Sequence, residues 1–434
     1  MADNYSYIDS CMLEETKFKE SLNYYDDSAL LSYKLYTNAM IIPNEGNWEM
    51  GVVEENGYFV DNSHLHNQIT KSSISYITPP KKLHVSSNKC LYLGTICPIW
   101  GHLITDCLKN LWFFISNKGK QLIDEGYIIG YVSTDNKDLP VNYQKILNYL
   151  GIDIEKVKRI TVPTKFKSVV VPDSSFYLNK DETRHYTKEY IDTIDAIIAQ
   201  ATKGITIPKE KRNVYFTRSR IKKNKDYGEK NIENIFKNLG FEIYSPETLT
   251  LEQQIEILQG CETFATTEGS VSHNAIFLKP GTKVIIVRKV HSCTGYQFTI
   301  NSARNLDATW IDAHLSIFVD KKHPWTGPFF MYVNENIRSF AKDNGLEIPY
   351  KPFPFRRYRQ YIINSLVSVN NKNRKEEELT SRYVKIVTYN LLRRHLAFRL
   401  FVCKCMYHLL PNSNIKYKFS NRITLYTALF RQYE

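Results

Sequence analysis

The sequence contains no run of roughly 18 uncharged apolar residues, the length that a helix needs to cross a bilayer. Its first residues, MADNYSYIDS, lack the basic start and apolar run of a secretory signal. Its eight cysteines show neither zinc-ligand spacing nor the density of a small disulfide scaffold. These absences favour a cytoplasmic protein with free thiols, which could at most lie peripherally at the inner face of the membrane.

The composition excludes a disordered chain, because 43% of the 434 residues are hydrophobic and 24% are charged. This length suits two domains of ordinary size with appendages. Lys and Arg exceed Asp and Glu by 57 − 45 = 12, which points to an anionic partner. Nucleic acid, an acidic membrane surface and a sugar nucleotide are all open at this stage.

The stretch from Asn213 to Val287 alternates strand and helix patterns. NVYF predicts a strand, GEKNIENIFKNLG a helix, FEIY a strand, and LEQQIEILQG a helix that Thr250 caps with Gln253. ETFATT and VIIV predict two further strands, with a short helix between them. Such alternation implies a parallel sheet, whose ligands lie beyond the carboxyl ends of the strands. Arg218, Arg220 and the loop Glu268 to Ser270 fall at that edge, where a phosphate-bearing ligand would bind.

The segments FTRSR, GEKNIE, GFEIYSPETLTLEQQI, EGSVSHNAIF and PGTKV, in this order and spacing, resemble the bacterial branch of glycosyltransferase family 61. Members of that branch include capsular polysaccharide biosynthesis proteins. The resemblance covers residues 213 to 287, reaches back to Trp100, Gly101 and His102, and leaves out the first eighty and last seventy residues. It implies an α/β fold with two facing Rossmann-like domains of the GT-B type.

With this resemblance, the chain divides into five predicted segments. They are an N-terminal segment packed on the first domain (1–81), an acceptor-side Rossmann-like domain (82–205), a nucleotide-sugar-binding Rossmann-like domain (206–320), a return segment (321–360) and a basic amphipathic helical extension (361–434). Within the second segment, WGHLITDCLKNLWFFISNKG has helical spacing and predicts one amphipathic helix.

Transfer of a sugar from a nucleotide needs cations or N–H dipoles that stabilise the departing diphosphate. The sequence has no Asp-x-Asp triplet, so we expect a reaction without metal or other cofactor, in which arginine supplies the charge. The predicted diphosphate-binding residues are Arg218, Arg220, Gly269, Ser270, Ser272, His273 and Asn274. A surface ion pair is the alternative for the two arginines, and a simple turn or helix cap is the alternative for the glycine loop.

Three glutamates are candidates for the ribose or the donor sugar. Glu229 and Glu233 share one face of a helix start, where they could bind ribose, orient Arg218 or only favour the helix dipole. Glu268 follows a strand and could bind hydroxyl groups or cap the next helix.

His102 and Asp106 are four residues apart and are candidates for the base that deprotonates the acceptor. The family resemblance implies a similar Gly-His helix start facing the donor site. Either residue could be the base, and the alternative is a capping histidine with a surface carboxylate.

The leading hypothesis is an inverting, metal-independent glycosyltransferase that acts on a growing cell-surface polysaccharide or lipid-linked oligosaccharide. Residues 382–410 combine apolar and basic residues and could lie on an acidic membrane surface, or could pack on the protein with a solvated basic face. The alternatives are a phosphotransferase or sugar-nucleotide-modifying enzyme, and a non-catalytic basic protein that binds glycan or nucleic acid. Because no nucleic-acid motif is present, we expect no nucleic-acid partner.

Overall fold

A computed structural model describes residues 5–45, 50–65, 80, 82–179, 183–207, 212–221, 226–290, 295–315, 327–350, 353–372, 397–409 and 414–431. The chain forms two compact units, and the fold is a mixed α/β fold. Unit 1 comprises residues 1–222, 229–313 and 333–348, and unit 2 comprises residues 223–228, 314–332 and 349–434. Both large sheets belong to unit 1.

The first sheet has seven strands, and four of them run parallel. In spatial order these four are Val157–Arg159, Ile128–Ser133, His84–Ile96 and Thr164–Pro172. Successive strands are therefore added on one side of His84–Ile96 and then on its other side, so the switch point of this open parallel sheet lies beside His84–Ile96. The helical segments of this region are Trp100–Leu103, Asp106–Leu108, Leu111–Ile115, Asn117–Asp124, Val141–Tyr149, Ile154–Lys156 and Lys188–Ala201.

The second sheet has five strands, all of which are parallel. In spatial order they are Glu242–Tyr244, Arg212–Phe216, Cys261–Thr267, Lys283–Arg288 and Asp307–Asp312. The predicted alternation is confirmed, including the capping box of Thr250 and Gln253. The switch point lies between Arg212–Phe216 and Cys261–Thr267. The helical segments are Glu229–Asn238, Pro246–Thr248, Leu251–Gln259, Ser272–Phe277, Gly295–Ala303 and Glu335–Asp343.

The N-terminal segment contacts both sheets, whereas the sequence placed it on the first domain. Its strands Tyr33–Thr37, Met40–Ile42 and Gly51–Val53 extend the first sheet in antiparallel fashion. Its helix Ser10–Ser21 packs on the second sheet, where the buried Arg288 donates to the Thr16 hydroxyl over 2.6 Å. Arg288 also lies 3.5 Å from the carboxylate of Asp312 on the neighbouring strand, and this carboxylate accepts the backbone N–H of Asp9 over 2.8 Å.

The single helix predicted for residues 100 to 119 is wrong, because four short helical segments occupy this stretch. The first interruption includes Thr105, whose φ of −122° and ψ of −86° are not helical. The Thr105 hydroxyl donates to the Gly101 carbonyl over 2.8 Å, and it also contacts the Asp106 carboxylate. Side chains that bond to nearby backbone in this way compete with helix continuation.

Two helices from the two sheets are joined by a cluster around Glu252. Its carboxylate accepts from Lys145 over 2.8 Å and from the Tyr149 hydroxyl. Burial by itself would raise the pKa of Glu252, but these hydrogen bonds lower it to about 2. Helices Val141–Tyr149 and Leu251–Gln259 are thereby held together, and both contribute residues to the cavity described below.

Unit 2 contains a small aromatic core and three described helices. Strands Asp226–Tyr227 and Phe329–Phe330 pair in parallel. Helix Phe355–Lys372 places the Tyr358 ring 4.9 Å from that of Phe330. The other helices are 397–409 and Asn414–Arg431. Of the predicted surface segment 382–410, residues 382–396 and 410 lie outside the described residues.

Across the described residues, none of the helices combines the length and apolar character required to cross a bilayer.

Candidate active site

A cavity of about 400 Å³ lies at the switch point of the second sheet. We call it the switch-point cavity. Its lining residues come from both halves of unit 1 and are Trp100, Asn142, Arg218, Ile221, Pro246, Glu247, Leu249, Gln254, Ser270, Val271 and Asn274. Ligand sites of proteins typically have volumes of this order. The position and size of the cavity therefore make it the candidate binding site.

The two predicted arginines separate in the structure. Arg218 follows the strand Arg212–Phe216, is half-buried and lines the switch-point cavity. Arg220 is exposed and lines a different surface hollow, together with Lys230 and Lys237. Only Arg218 can therefore act on a ligand in the cavity without a rearrangement of the loop.

Glu229 and Glu233 are both buried and hold the loop that carries Arg218. Glu229 accepts the backbone N–H of Arg218 over 2.7 Å. Glu233 accepts hydroxyl hydrogen bonds from Thr217, over 2.9 Å, and from Ser219. Burial would raise the pKa of Glu233, but the hydrogen bonds from Lys230, Ser219 and Thr217 lower it. Of the roles that the sequence left open, this geometry favours orientation of the Arg218 loop.

The glycine loop, residues 268–271, begins where the strand Cys261–Thr267 ends. Gly269 has φ of +122°, a conformation that side-chain-bearing residues rarely adopt. The Ser272 hydroxyl accepts the Gly269 N–H over 3.2 Å and donates to the Gly269 carbonyl over 2.8 Å. Ser272 therefore closes the loop, and Ser270 is the loop hydroxyl that lines the cavity. The predicted residue Glu268 is fully buried at the base of the loop.

Lys289 is a cation at this edge that the sequence analysis did not identify. It follows the strand Lys283–Arg288, is buried, and places its Nζ 3.5 Å from the position of a Cβ on Gly269. The signal was available in the sequence, because a basic residue directly after an apolar strand belongs to the same sheet edge as the glycine loop.

Gly101, which follows the strand His84–Ile96 of the first sheet, lies against residues of the glycine loop and of the helix after it. A Cβ at Gly101 would lie 3.0 Å from the Ser270 hydroxyl and 2.8 Å from Nδ1 of His273. The neighbouring Trp100 donates its Nε1–H to the Asn274 side chain over 3.1 Å. Residues that follow the strand His84–Ile96 therefore contact the residues that follow Cys261–Thr267, and only a glycine permits this approach.

His102 and Asp106 form a hydrogen-bonded pair next to this contact. Asp106 Oδ2 lies 2.7 Å from His102 Nδ1 and also accepts the Tyr296 hydroxyl over 2.7 Å. The Asp106 side chain is only 5% exposed, whereas that of His102 is 29% exposed. A carboxylate bound to Nδ1 favours the tautomer in which Nε2 accepts a proton. The histidine is therefore the member of the pair that a substrate can reach.

Three further side chains surround the pair, and the sequence did not predict two of them. Burial raises the pKa of Tyr296 well above its ordinary value, so its hydroxyl stays protonated as a donor to Asp106. The Arg184 guanidinium stacks 3.6 Å from the centre of the Tyr296 ring. Burial and the nearby His102 lower the pKa of His273 to about 4, so this imidazole is neutral at physiological pH. Tyr296 and Arg184 carry no local motif that could have revealed them.

The predicted site residues other than Arg220 thus fall into three places. Arg218, Ser270 and Asn274 line the cavity; His102, Asp106 and His273 lie beside it; and Glu229, Glu233, Glu268, Gly269 and Ser272 shape its loops. The described residues contain no group of three His, Cys, Asp or Glu side chains arranged to hold a metal ion. The arrangement can bind an anion against Arg218 and accept a proton at His102.

A sequence model of the family described as Glycosyltransferase 61 matches residues 100–285. The match begins at Trp100 and includes His102, Asp106, Arg218 and the glycine loop. It supports the predicted relation to glycosyltransferase family 61 and a glycosyltransferase activity. No curated protein matches the chain.

Proposed function

We propose that this chain, whose residues 100–285 match the Glycosyltransferase 61 model, is an inverting, metal-independent glycosyltransferase that uses a nucleotide-sugar donor. The contact of Gly101 with Ser270 and His273 is the observation that carries the proposal. This contact brings together the switch points of the parallel strands of the two sheets. Ligands of parallel sheets bind at such switch points. The proposal includes two facing Rossmann-like domains of the GT-B type, at about 82–205 and 206–320.

The donor diphosphate would bind in the switch-point cavity, against Arg218 and Ser270. Arginine binds phosphate oxygens through two N–H groups at once, and its loop is fixed by Glu229 and Glu233. Lys289 would add positive charge from below the glycine loop. These groups can stabilise the departing diphosphate, which supports a reaction that needs no metal.

His102 would act as the base. Its Nε2 takes the proton from an acceptor hydroxyl, and the oxygen attacks the anomeric carbon opposite the diphosphate. The bond from that carbon to the diphosphate oxygen breaks, so the configuration inverts and the nucleoside diphosphate leaves with the electron pair. Asp106 and Tyr296 hold the imidazole in the required tautomer, and Asp106 stabilises the imidazolium that forms.

Removal of divalent metal tests this function. We expect the purified chain to hydrolyse or transfer sugar from one member of a panel of nucleotide sugars, at the same rate with and without EDTA. The physical reason is that Arg218 supplies the charge that a metal would otherwise supply. Liberated nucleoside diphosphate is the measurement. Activity that disappears in EDTA and returns with Mn²⁺ would contradict metal independence, and no activity with any donor would contradict the transferase.

For the acceptor, we propose a growing cell-surface polysaccharide or lipid-linked oligosaccharide at the cytoplasmic face of a membrane. Residues 379–433 contain no Asp or Glu and are rich in Lys and Arg. Helix 397–409 exposes Phe398, Phe401, Val402, Met406 and Leu409, which share one helical face. An apolar face within a cationic segment suits an anionic bilayer surface.

Vesicle binding tests this membrane surface. Replacing Phe398 and Phe401 together with Ser removes apolar side chains that would enter the bilayer, and we expect roughly tenfold weaker binding to vesicles containing phosphatidylglycerol. Co-sedimentation measures the binding. The matched control is Phe355→Ser, because Phe355 is also exposed but lies on another helix of unit 2. Equal binding of all three proteins would contradict the proposed surface.

A further inference from the structure

Gln254 is a buried polar residue in the wall of the switch-point cavity, and only 5% of it is exposed. It lies on helix Leu251–Gln259, whose start is fixed by the capping box. Its Nε2 donates to the carbonyl oxygens of Pro246, over 3.0 Å, and Leu249, over 3.3 Å. Both partners are acceptors, so the amide orientation is fixed by chemistry and cannot be reversed without losing both bonds.

The amide oxygen of Gln254 is consequently left as an acceptor. Within the part of the chain that the structure describes, this Oε1 is buried and has no hydrogen-bond partner. Buried polar atoms are nearly always paired, because an unmade hydrogen bond is costly away from water. A ligand N–H group at this wall of the cavity would supply the missing donor.

The other lining residues of the switch-point cavity suit a flat ring. Trp100, Ile221, Leu249 and Val271 provide apolar surface, and the exposed Glu247 provides a second acceptor at the rim. Arg218 and Ser270 line the same cavity and suit a diphosphate. A planar heterocycle with N–H groups would pack on the apolar side chains and donate hydrogen bonds to the acceptors. A diphosphate linked to it would contact Arg218 and Ser270.

We propose that Gln254 Oε1 accepts a hydrogen bond from an N–H group on the pairing edge of the donor's nucleobase. This inference rests on the proposed function, because it places the nucleotide in the switch-point cavity. It assigns Gln254 as a specificity-determining residue and the wall beside Leu249 as the nucleobase site. A base whose N–H groups are methylated is rejected there.

Calorimetric titration of the full chain tests the assignment. The ligands are UDP, dTDP, GDP, CDP, ADP and inorganic pyrophosphate. We expect one nucleoside diphosphate to bind more tightly than pyrophosphate, and its base-methylated form, such as N3-methyl-UDP or N1-methyl-GDP, to bind about tenfold more weakly than the parent because one buried hydrogen bond is lost. This comparison uses the wild-type protein and does not depend on the folding of a variant.

The variant Gln254→Met tests the same assignment by changing the protein instead of the ligand. We expect this variant to bind pyrophosphate like the wild type but to bind the preferred nucleoside diphosphate about tenfold more weakly, with no further loss on methylation of the base. The matched control is Gln259→Met, because Gln259 lies on the same helix and also donates to a backbone carbonyl, that of Phe277, but does not line the cavity.

The outcomes separate this inference from the proposed function. Equal affinity of the parent and methylated nucleotides for the wild type would overturn the role of Gln254, even if pyrophosphate binds. Binding of pyrophosphate with no gain from any nucleoside would overturn the nucleobase site alone. Absence of binding by every ligand would overturn the donor site, and this inference with it.

Discussion

Replacing Asp106 with Asn is expected to lower the turnover of sugar transfer by roughly 10²- to 10⁴-fold, the range of general base catalysis. The buried Asp106 carboxylate accepts from His102 Nδ1 and from the Tyr296 hydroxyl. An amide in its place can no longer fix the tautomer in which His102 Nε2 accepts a proton. His102→Ala should have an effect of the same order, because the base itself is removed.

Donor affinity should stay unchanged in both variants, since Arg218 and the glycine loop are untouched. Steady-state kinetics gives the turnover, and titration with nucleoside diphosphate gives the affinity. Tyr296→Phe should have a smaller effect than Asp106→Asn, because it removes one of the donors to the carboxylate and leaves the imidazole in place.

The control for loss of a structural carboxylate is Asp195→Asn. Asp195 accepts from the buried Arg304 over 2.7 Å, so its replacement removes an ion pair of unit 1 without touching the His102 pair. We expect nearly wild-type turnover from this control. Normal turnover of both Asp106→Asn and His102→Ala would show that the base lies elsewhere.

Replacing Arg218 with Ala is expected to lower kcat/KM by roughly 10²-fold or more, as for the loss of one preorganised group that stabilises a leaving anion. Arg218 lines the switch-point cavity, and its backbone N–H is anchored to Glu229. On the proposed function, both the affinity for nucleoside diphosphate and the rate of its departure would depend on this guanidinium. Calorimetry and initial-rate kinetics measure the two effects separately.

Arg220→Ala is the matched control, because Arg220 is only two residues away but is exposed and lines another surface hollow. We expect it to change kcat/KM by less than about twofold, as for a surface substitution. If the two variants are impaired equally, the loop presents both arginines to the donor. If neither variant is impaired, the diphosphate binds outside the switch-point cavity.

The strands and helices of the second sheet were predictable from the sequence because their signals are local. Apolar residues at helical spacing, Thr250 with Gln253, and the Pro280-Gly281 turn each depend on a few neighbouring residues. The stretch from Trp100 to Gly119 was predicted wrongly for a related reason. Its apolar residues have helical spacing, but the Thr105 hydroxyl donates to the Gly101 carbonyl where the helix is interrupted. The spacing of apolar residues carries no information about such a hydrogen bond.

The sequence alone determined the parallel α/β character of residues 213–287, the loop that requires Gly269, and the spacing of His102 and Asp106. Only the tertiary structure decided that Arg218 enters the cavity while Arg220 does not, and that Tyr296 and Lys289 join the site. Backbone propensity and side-chain periodicity act over one or two turns of chain. The site, however, is formed by the ends of strands that are far apart in the sequence. The packing of the two sheets places these strand ends next to one another.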